Sequence, residues 1–245
     1  PMNKIFSFLF WGFVTITSIL FFFIAVAIWS LSLIFDRKRK WLLHQFTSFW
    51  ASLYSWLNPL WILKIYGREH IDAKKTYVCV SNHQSLLDIL ILFRLFSHFK
   101  WVSKIENFKI PFVGWNMRLN DYIELDRGKV KSNAKMMKDC AKTIANQNSI
   151  MIFPEGTRSL DGVMRAFKLG AFEIAKETKT AILPIVIKGT AHALPKGGIE
   201  LQGKHPMSIT VLPEIPYSDF ASLSSEDLCE LVRNKIQEEL DRVSG

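Results

Sequence analysis

The sequence predicts an α/β fold, with a mostly parallel sheet flanked by helices and preceded by an N-terminal membrane-embedded helix pair. Three observations carry that expectation. The first 62 residues are dominated by apolar and aromatic side chains. From about residue 64 the texture changes to short β-branched runs alternating with helical segments, the pattern of units whose crossovers set strands parallel. At 245 residues and 49% hydrophobic, the chain can bury one large core.

Residues 5–35 contain no charged side chain. As one helix they would rise about 46 Å, against a hydrocarbon core of about 30 Å. The run is too long for a signal peptide, and the basic stretch Asp36-Arg37-Lys38-Arg39-Lys40 follows it instead of a small-residue cleavage site. Residues 41–62 form a second, more polar helical segment, and six of the eight tryptophans lie in the first 62 residues, as suits the headgroup level of a bilayer. Two arrangements fit. Residues 5–35 span the membrane, or residues 5–35 and 41–62 form a hairpin dipping into one leaflet. The excess length and the polar second segment favour the hairpin. In the spanning arrangement the basic stretch places the remainder in the cytoplasm, and the catalytic domain is expected on the cytoplasmic side of the cytoplasmic membrane. The chain thus divides into an anchoring segment, 2–62, and a catalytic-sized α/β domain, 63–245.

Within that domain, strands are expected at 76–81, 100–104, 121–126, 149–153, 181–188 and 208–214, and helices at 85–96, 129–146, 168–178 and 225–243. The net charge is +9, and residues 1–80 hold nine Lys/Arg against three Asp/Glu. That surplus would attract anionic lipid or an anionic substrate; no nucleic-acid motif accompanies it. Three scattered cysteines (Cys79, Cys140, Cys229) make neither a metal spacing nor a disulfide framework, which is the usage of a reducing compartment. Residues 198–204 match most of a phosphate-binding loop, but His205 stands where Ser or Thr is needed, and a strand pattern follows in place of a helix. Neither a Ser nucleophile elbow nor a zinc-binding His-Glu-x-x-His helix occurs.

Two stretches carry chemistry. His83 and Asp88 stand five residues apart just after a buried strand pattern. Five is an awkward helical spacing, since positions three and four apart share a face. With His83 in the turn before the helix and Asp88 in its first turns, however, the two side chains can meet. Asp88 would then fix the imidazole tautomer while the other ring nitrogen takes a proton. Asn82 and Ser85 suit the ordering of the turn, and ligands of open α/β sheets bind at strand ends. The second stretch, Phe153-Pro154-Glu155-Gly156-Thr157-Arg158-Ser159, again follows a strand. Gly156 allows a tight turn or close approach, and Arg158 offers a planar fork for a phosphate.

Together these stretches resemble the N-H-x-x-x-x-D and F-P-E-G-T-R-S motifs of the glycerolipid acyltransferases, in particular the bacterial-type 1-acyl-sn-glycerol-3-phosphate (lysophosphatidic acid) acyltransferases. The likeness covers roughly residues 60–215. Ser103-Lys104-Ile105-Glu106 and Pro111 to Trp115 resemble the segment before the family's second motif, and Asp121 to Arg127 resembles that motif with Asp121 replacing its glycine and Glu124 its aromatic. Leu183-Pro184-Ile185-Val186 is similar to the fourth block.

The resemblance implies acyl transfer from a thioester to the 2-hydroxyl of lysophosphatidic acid, giving phosphatidic acid for phospholipid biosynthesis. It makes His83 the general base and Asp88 its orienting carboxylate, without a covalent acyl-enzyme. Lys104, Arg127 and Arg158 would hold the phosphate, with Gly156 and Thr157 as backbone donors and Glu155 in the acceptor site. No cofactor or metal is implied. The donor is acyl-CoA or acyl-carrier protein, and the other partners are lysophosphatidic acid and membrane lipids, with no nucleic acid. An acceptor such as glycerol 3-phosphate or another lysophospholipid is the nearest alternative. Lipid hydrolysis, or membrane-tethered lipid binding without catalysis, would be alternatives of other classes.

Overall fold

The computed structural model describes residues 2–126, 130–159, 163–195, 197 and 200–242. Two antiparallel helices open the chain, α1 (Met2–Phe35) and α2 (Trp41–Trp56). Aromatic rings zip them together. Phe21 meets Phe46 and Trp50 edge-on at 5.9 Å, and Thr17 Oγ1 lies 2.9 Å from the Tyr54 hydroxyl. The tight turn between them is closed by Asp36, whose carboxylate accepts from the backbone N–H groups of Arg39 (3.2 Å) and Trp41 (2.7 Å). Residues of the following domain grip the same turn. Lys100 Nζ donates to the Arg39 carbonyl at 2.7 Å, Asn148 Nδ2 to that of Lys38 at 3.3 Å, and Lys40 Nζ reaches the Leu119 carbonyl at 2.9 Å and Asp121 at 2.6 Å.

Seven strands form one sheet among the described residues: β1 (Trp61–Tyr66), β2 (Val78–Ser81), β3 (Phe99–Lys104), β4 (Ile123–Leu125), β5 (Ser149–Ile152), β6 (Ile182–Lys188) and β7 (His205–Val211), in the order β1-β7-β6-β2-β5-β3-β4. All neighbours are parallel except β6 and β7. The remaining helices are α3 (Leu87–Leu92), α4 (Val113–Leu119), α5 (Val130–Ala145), α6 (Gly170–Glu177), α7 (Thr190–Ala193), α8 (Tyr217–Phe220) and α9 (Ser225–Asp241). Side chains of the central strands alternate between two cores, as the two-residue period requires. Cys79, Met151, Leu183 and Ile185 pack with Trp50, Leu87 and Phe93 under α2 and α3. Val78, Val80, Ile150, Ile182 and Val186 pack with Phe172, Val232 and Ile236 under α6 and α9. The expected mostly parallel sheet with helices on its faces is present.

Several boundaries differ from expectation. The second helix does not run to residue 62. It ends at Trp56, and after the turn through Asn58 and Pro59 the strand β1 pairs with β7. Its alternating burial places Trp61 in the core and leaves Ile62 half-exposed. Trp50 is likewise a core residue, at 4% exposure, so tryptophans in this region serve packing as well as surface. Strand β7 starts three residues earlier than expected and stops before Pro213, which has no N–H to continue a ladder.

Beyond the sheet, α1 is long and apolar enough to cross a membrane, with mean hydropathy 2.5 and most of its surface uncovered. Phe8, Ile16, Leu20 and Phe23 are all exposed.

Candidate active site

His83 leaves the end of β2 in the turn before α3, and Asp88 sits in the first turn of that helix. Their side chains meet, with His83 Nδ1 2.8 Å from Asp88 Oδ2. The same oxygen accepts the backbone N–H of Gln84 at 2.6 Å and of Ser85 at 2.9 Å. The other, Oδ1, accepts the hydroxyl of Thr190 at 2.5 Å. A buried carboxylate is costly unless its lone pairs are filled, and Asp88, with no exposed surface, has four donors. It is therefore a fixed acceptor. Facing it, Nδ1 carries the ring hydrogen, which leaves Nε2 as the nitrogen able to take a proton.

The imidazole is held by more than Asp88. Its face stacks on Phe153, with centroids 4.0 Å apart and planes 7° from parallel, and its side chain is only 13% exposed. Behind it, the Asn82 amide donates to the Ile187 carbonyl at 2.9 Å and accepts the Ile187 N–H at 2.8 Å, clipping the turn to β6. Ser85 Oγ donates to the Leu194 carbonyl at 2.7 Å.

The Phe153–Ser159 stretch follows β5, the neighbour of β2, and closes on the same place. The Ser159 N–H donates to the His83 carbonyl at 3.0 Å. Glu155, which the resemblance puts in the acceptor site, is buried and is not among the residues lining the cavity there. One oxygen of its buried carboxylate accepts the His83 N–H at 2.7 Å, and the other accepts the Arg165 N–H at 2.9 Å. Burial pushes its pKa up from the ordinary value, partly offset by those two N–H groups. Its position is that of a staple between two loops, one oxygen on each. Gly156, at φ 73°, occupies the left-handed region that side chains disfavour.

Five of the expected residues line one cavity of about 790 Å³. His83, Gly156, Thr157, Arg158 and Lys104 all line it. They stand at the carboxyl ends of the adjacent parallel strands β2, β5 and β3, where open sheets bind ligands. Away from His83 the wall is apolar, built from Trp11, Val14, Trp50 and Tyr54 of the helix pair and Leu90 and Met117 of the domain. Arg127 lies outside the described residues. The sequence had not signalled Thr190, whose hydroxyl reaches Asp88 from 102 positions away across the β6–α7 junction. A strand end next to β2 was the one available hint.

Comparison with known proteins bears on the family and the fold. The family described as Acyltransferase matches residues 62–188. A 1-acyl-sn-glycerol-3-phosphate acyltransferase of Chlamydomonas reinhardtii is 32% identical over 240 residues, covering 98% of this chain and 70% of that protein. The protein of the same name from Borreliella burgdorferi is 30% identical over 189 residues, covering 77% of this chain and 75% of its own. The crystal structure of the 1-acyl-sn-glycerophosphate (LPA) acyltransferase PlsC from Thermotoga maritima shares the fold, with a TM-score of 0.79 at 24% identity over 99% of this chain and all of that one. By the family match and these relatives, this chain belongs to the acyltransferase family, in the company of the 1-acyl-sn-glycerol-3-phosphate acyltransferases.

Proposed function

We propose that the cavity holds lysophosphatidic acid and an acyl thioester side by side, and that His83 is the base that joins them. The single observation carrying this mechanism is the 2.8 Å contact of His83 Nδ1 with a fully buried Asp88 at the cavity wall. Nε2 takes the proton of the acceptor's 2-hydroxyl as its oxygen attacks the thioester carbonyl. A C–O bond forms, the C–S bond breaks, and the proton passes from the imidazolium to the departing thiolate. Asp88 stabilises the imidazolium between those steps. A thioester is already activated, so the reaction requires no enzyme nucleophile. The products are phosphatidic acid and a free thiol.

Arg158 and Lys104 supply positive charge for the acceptor's phosphate, a dianion suited to the guanidinium fork. Holding the phosphate also sets the 2-hydroxyl, and such positioning can contribute as much as the base. The apolar wall from α1 and α2 suits the fatty chains, and the exposed apolar side of α1 suits a lipid leaflet. On this reading α1 anchors the protein on the cytoplasmic face of the membrane, and the donor is acyl-CoA or acyl-carrier protein.

The test is thiol release by the purified protein in detergent, from palmitoyl-CoA or palmitoyl-carrier protein, with and without 1-acylglycerol 3-phosphate. Release that requires the acceptor is the expected result. Release without it would make the protein a thioesterase, and silence with both donors would remove the catalytic reading.

A further inference from the structure

Lys168 enters the active-site cavity from a segment outside both recognised motifs. It precedes α6 by two residues. Its N–H donates to the Pro154 carbonyl at 2.9 Å, which fastens its backbone to the Phe153–Ser159 loop. The side chain then runs across Gly156. A β-carbon built on Gly156 would lie 3.1 Å from Lys168 Cε and 3.2 Å from Nζ, closer than nearly all real contacts. The glycine thus adopts a positive φ, and the end of the Lys168 side chain lies close over it.

Charge gives that placement a purpose. Among the described residues lining the cavity, Lys104, Arg158 and Lys168 are cationic and Glu173 alone is acidic. No carboxylate lies within ion-pairing distance of the Lys168 ammonium among the described residues. A lysine on this site's wall, with its backbone tied down and no carboxylate of the described residues paired with it, fits an anion that arrives with the substrate.

Resting on the reading that the acceptor is a lysophosphatidic acid, we propose that Lys168 is a binding residue for the acceptor's phosphate, shared with Arg158 across Gly156. A phosphomonoester has three terminal oxygens. A fork and a point charge together can engage more of them than either alone. The thioester donor also carries phosphates when it is acyl-CoA, so the test must separate the two sources.

The experiment compares unchanged protein with Lys168→Met and Lys168→Arg in mixed micelles. It measures KM and kcat for 1-acylglycerol 3-phosphate and for palmitoyl-CoA, and turnover of 1-acylglycerol, which lacks the phosphate. Methionine keeps the apolar stem over Gly156 and removes only the charge, so a packing role would survive the change. In Lys168→Met, acceptor KM should rise roughly 10-fold, at the lower end for a charged hydrogen bond because the lysine is exposed. Donor KM should stay within about twofold on the same grounds. The preference for phosphorylated over unphosphorylated acceptor should fall by the factor lost in KM, because charge and phosphate would then be coupled partners. Lys168→Arg should recover most of it.

A rise in donor KM with acceptor KM unchanged would overturn the assignment and place Lys168 on the donor's phosphates. An unchanged KM for both, in a variant that still turns over, would overturn it outright. Failure of the unchanged protein to use 1-acylglycerol 3-phosphate would instead remove the underlying reading, and the assignment with it.

Discussion

The hydroxyl of Thr190 is 2.5 Å from Oδ1 of Asp88, the carboxylate oxygen that His83 does not use. Two residues far apart in sequence thus hold one carboxylate from opposite ends. Thr190→Val keeps the shape and removes the donor. A hydrogen bond to a charged group is worth about 1.5–3 kcal/mol, so kcat should fall roughly 10-fold or more while acceptor KM holds. Thr190→Ser should restore it. Steady-state kinetics with both variants checks this, and an unchanged kcat in the valine variant would show that Asp88 needs no second anchor.

Replacing His83 by alanine removes the base without removing a backbone contact, since its N–H and carbonyl bond to Glu155 and Ser159 through the main chain. Turnover should drop roughly 10²–10⁴-fold, while the fold survives with a modestly lower thermal transition, because Asp88 loses one of its four donors and Phe153 its stacked ring. A variant that retains more than a tenth of the activity would exclude His83 as base.

Glu155→Ala should damage both fold and chemistry. Two buried N–H groups, of His83 and Arg165, would lose their acceptor, at a cost of about 1–3 kcal/mol for each. The midpoint of denaturant unfolding should fall accordingly, together with kcat. A substrate ligand would behave differently, losing KM with stability intact.

Lys100 gives the protein a pH dependence of its own. Its side chain is 1% exposed, and burial pushes its pKa from the ordinary 10.5 down to about 7, against an opposing pull from Asp121. Below about 7 the group is charged in both folded and unfolded chains, and the full cost of burying that charge is borne. Between about 7 and 10.5 the folded chain sheds the proton while the unfolded one keeps it, so stability rises with pH. Denaturant titrations across that window should show the rise, and Lys100→Met should flatten it while lowering stability at its upper end.

Removing the N-terminal helices should not leave a soluble enzyme. A cut after residue 62 deletes Leu43, Trp50, Tyr54 and Trp61 from the core and breaks into β1. The fragment 63–245 is expected to lack a cooperative unfolding transition. Exchanging exposed Phe8, Ile16, Leu20 and Phe23 of α1 for serine should instead preserve that transition and reduce co-sedimentation with lipid vesicles. A folded, active 63–245 fragment would contradict the first half of this prediction, and undiminished sedimentation the second.

The sequence made some of this legible and hid the rest for physical reasons. Helices α5 and α9 lie within a residue or two of expectation, because long periodic patterns declare themselves. Strands β5 and β6 do so as well, because their buried runs are bounded by turns. The pairing of His83 with Asp88 was readable because both partners are local. Strand β1 was not, since Trp-Ile-Leu-Lys-Ile-Tyr continues the aromatic texture of α2 and only its pairing with β7 reveals an alternating strand. Thr190 and Lys168 were hidden because tertiary contact alone gives them a role. Glu155 shows the opposite case. A motif marks the residue, and only the structure shows that it ties the His83 and Arg165 N–H groups together.

The grip of Lys100, Asn148 and Lys40 on the turn between α1 and α2 makes the helical hairpin a keel rather than a mooring line. A line would let the hull swing, so that His83 met the surface at many angles. A keel bolted at its bend admits one. Whatever surface receives α1, the ends of β2, β5 and β3 face it in a set attitude. Substrates, not the protein, must then make the approach.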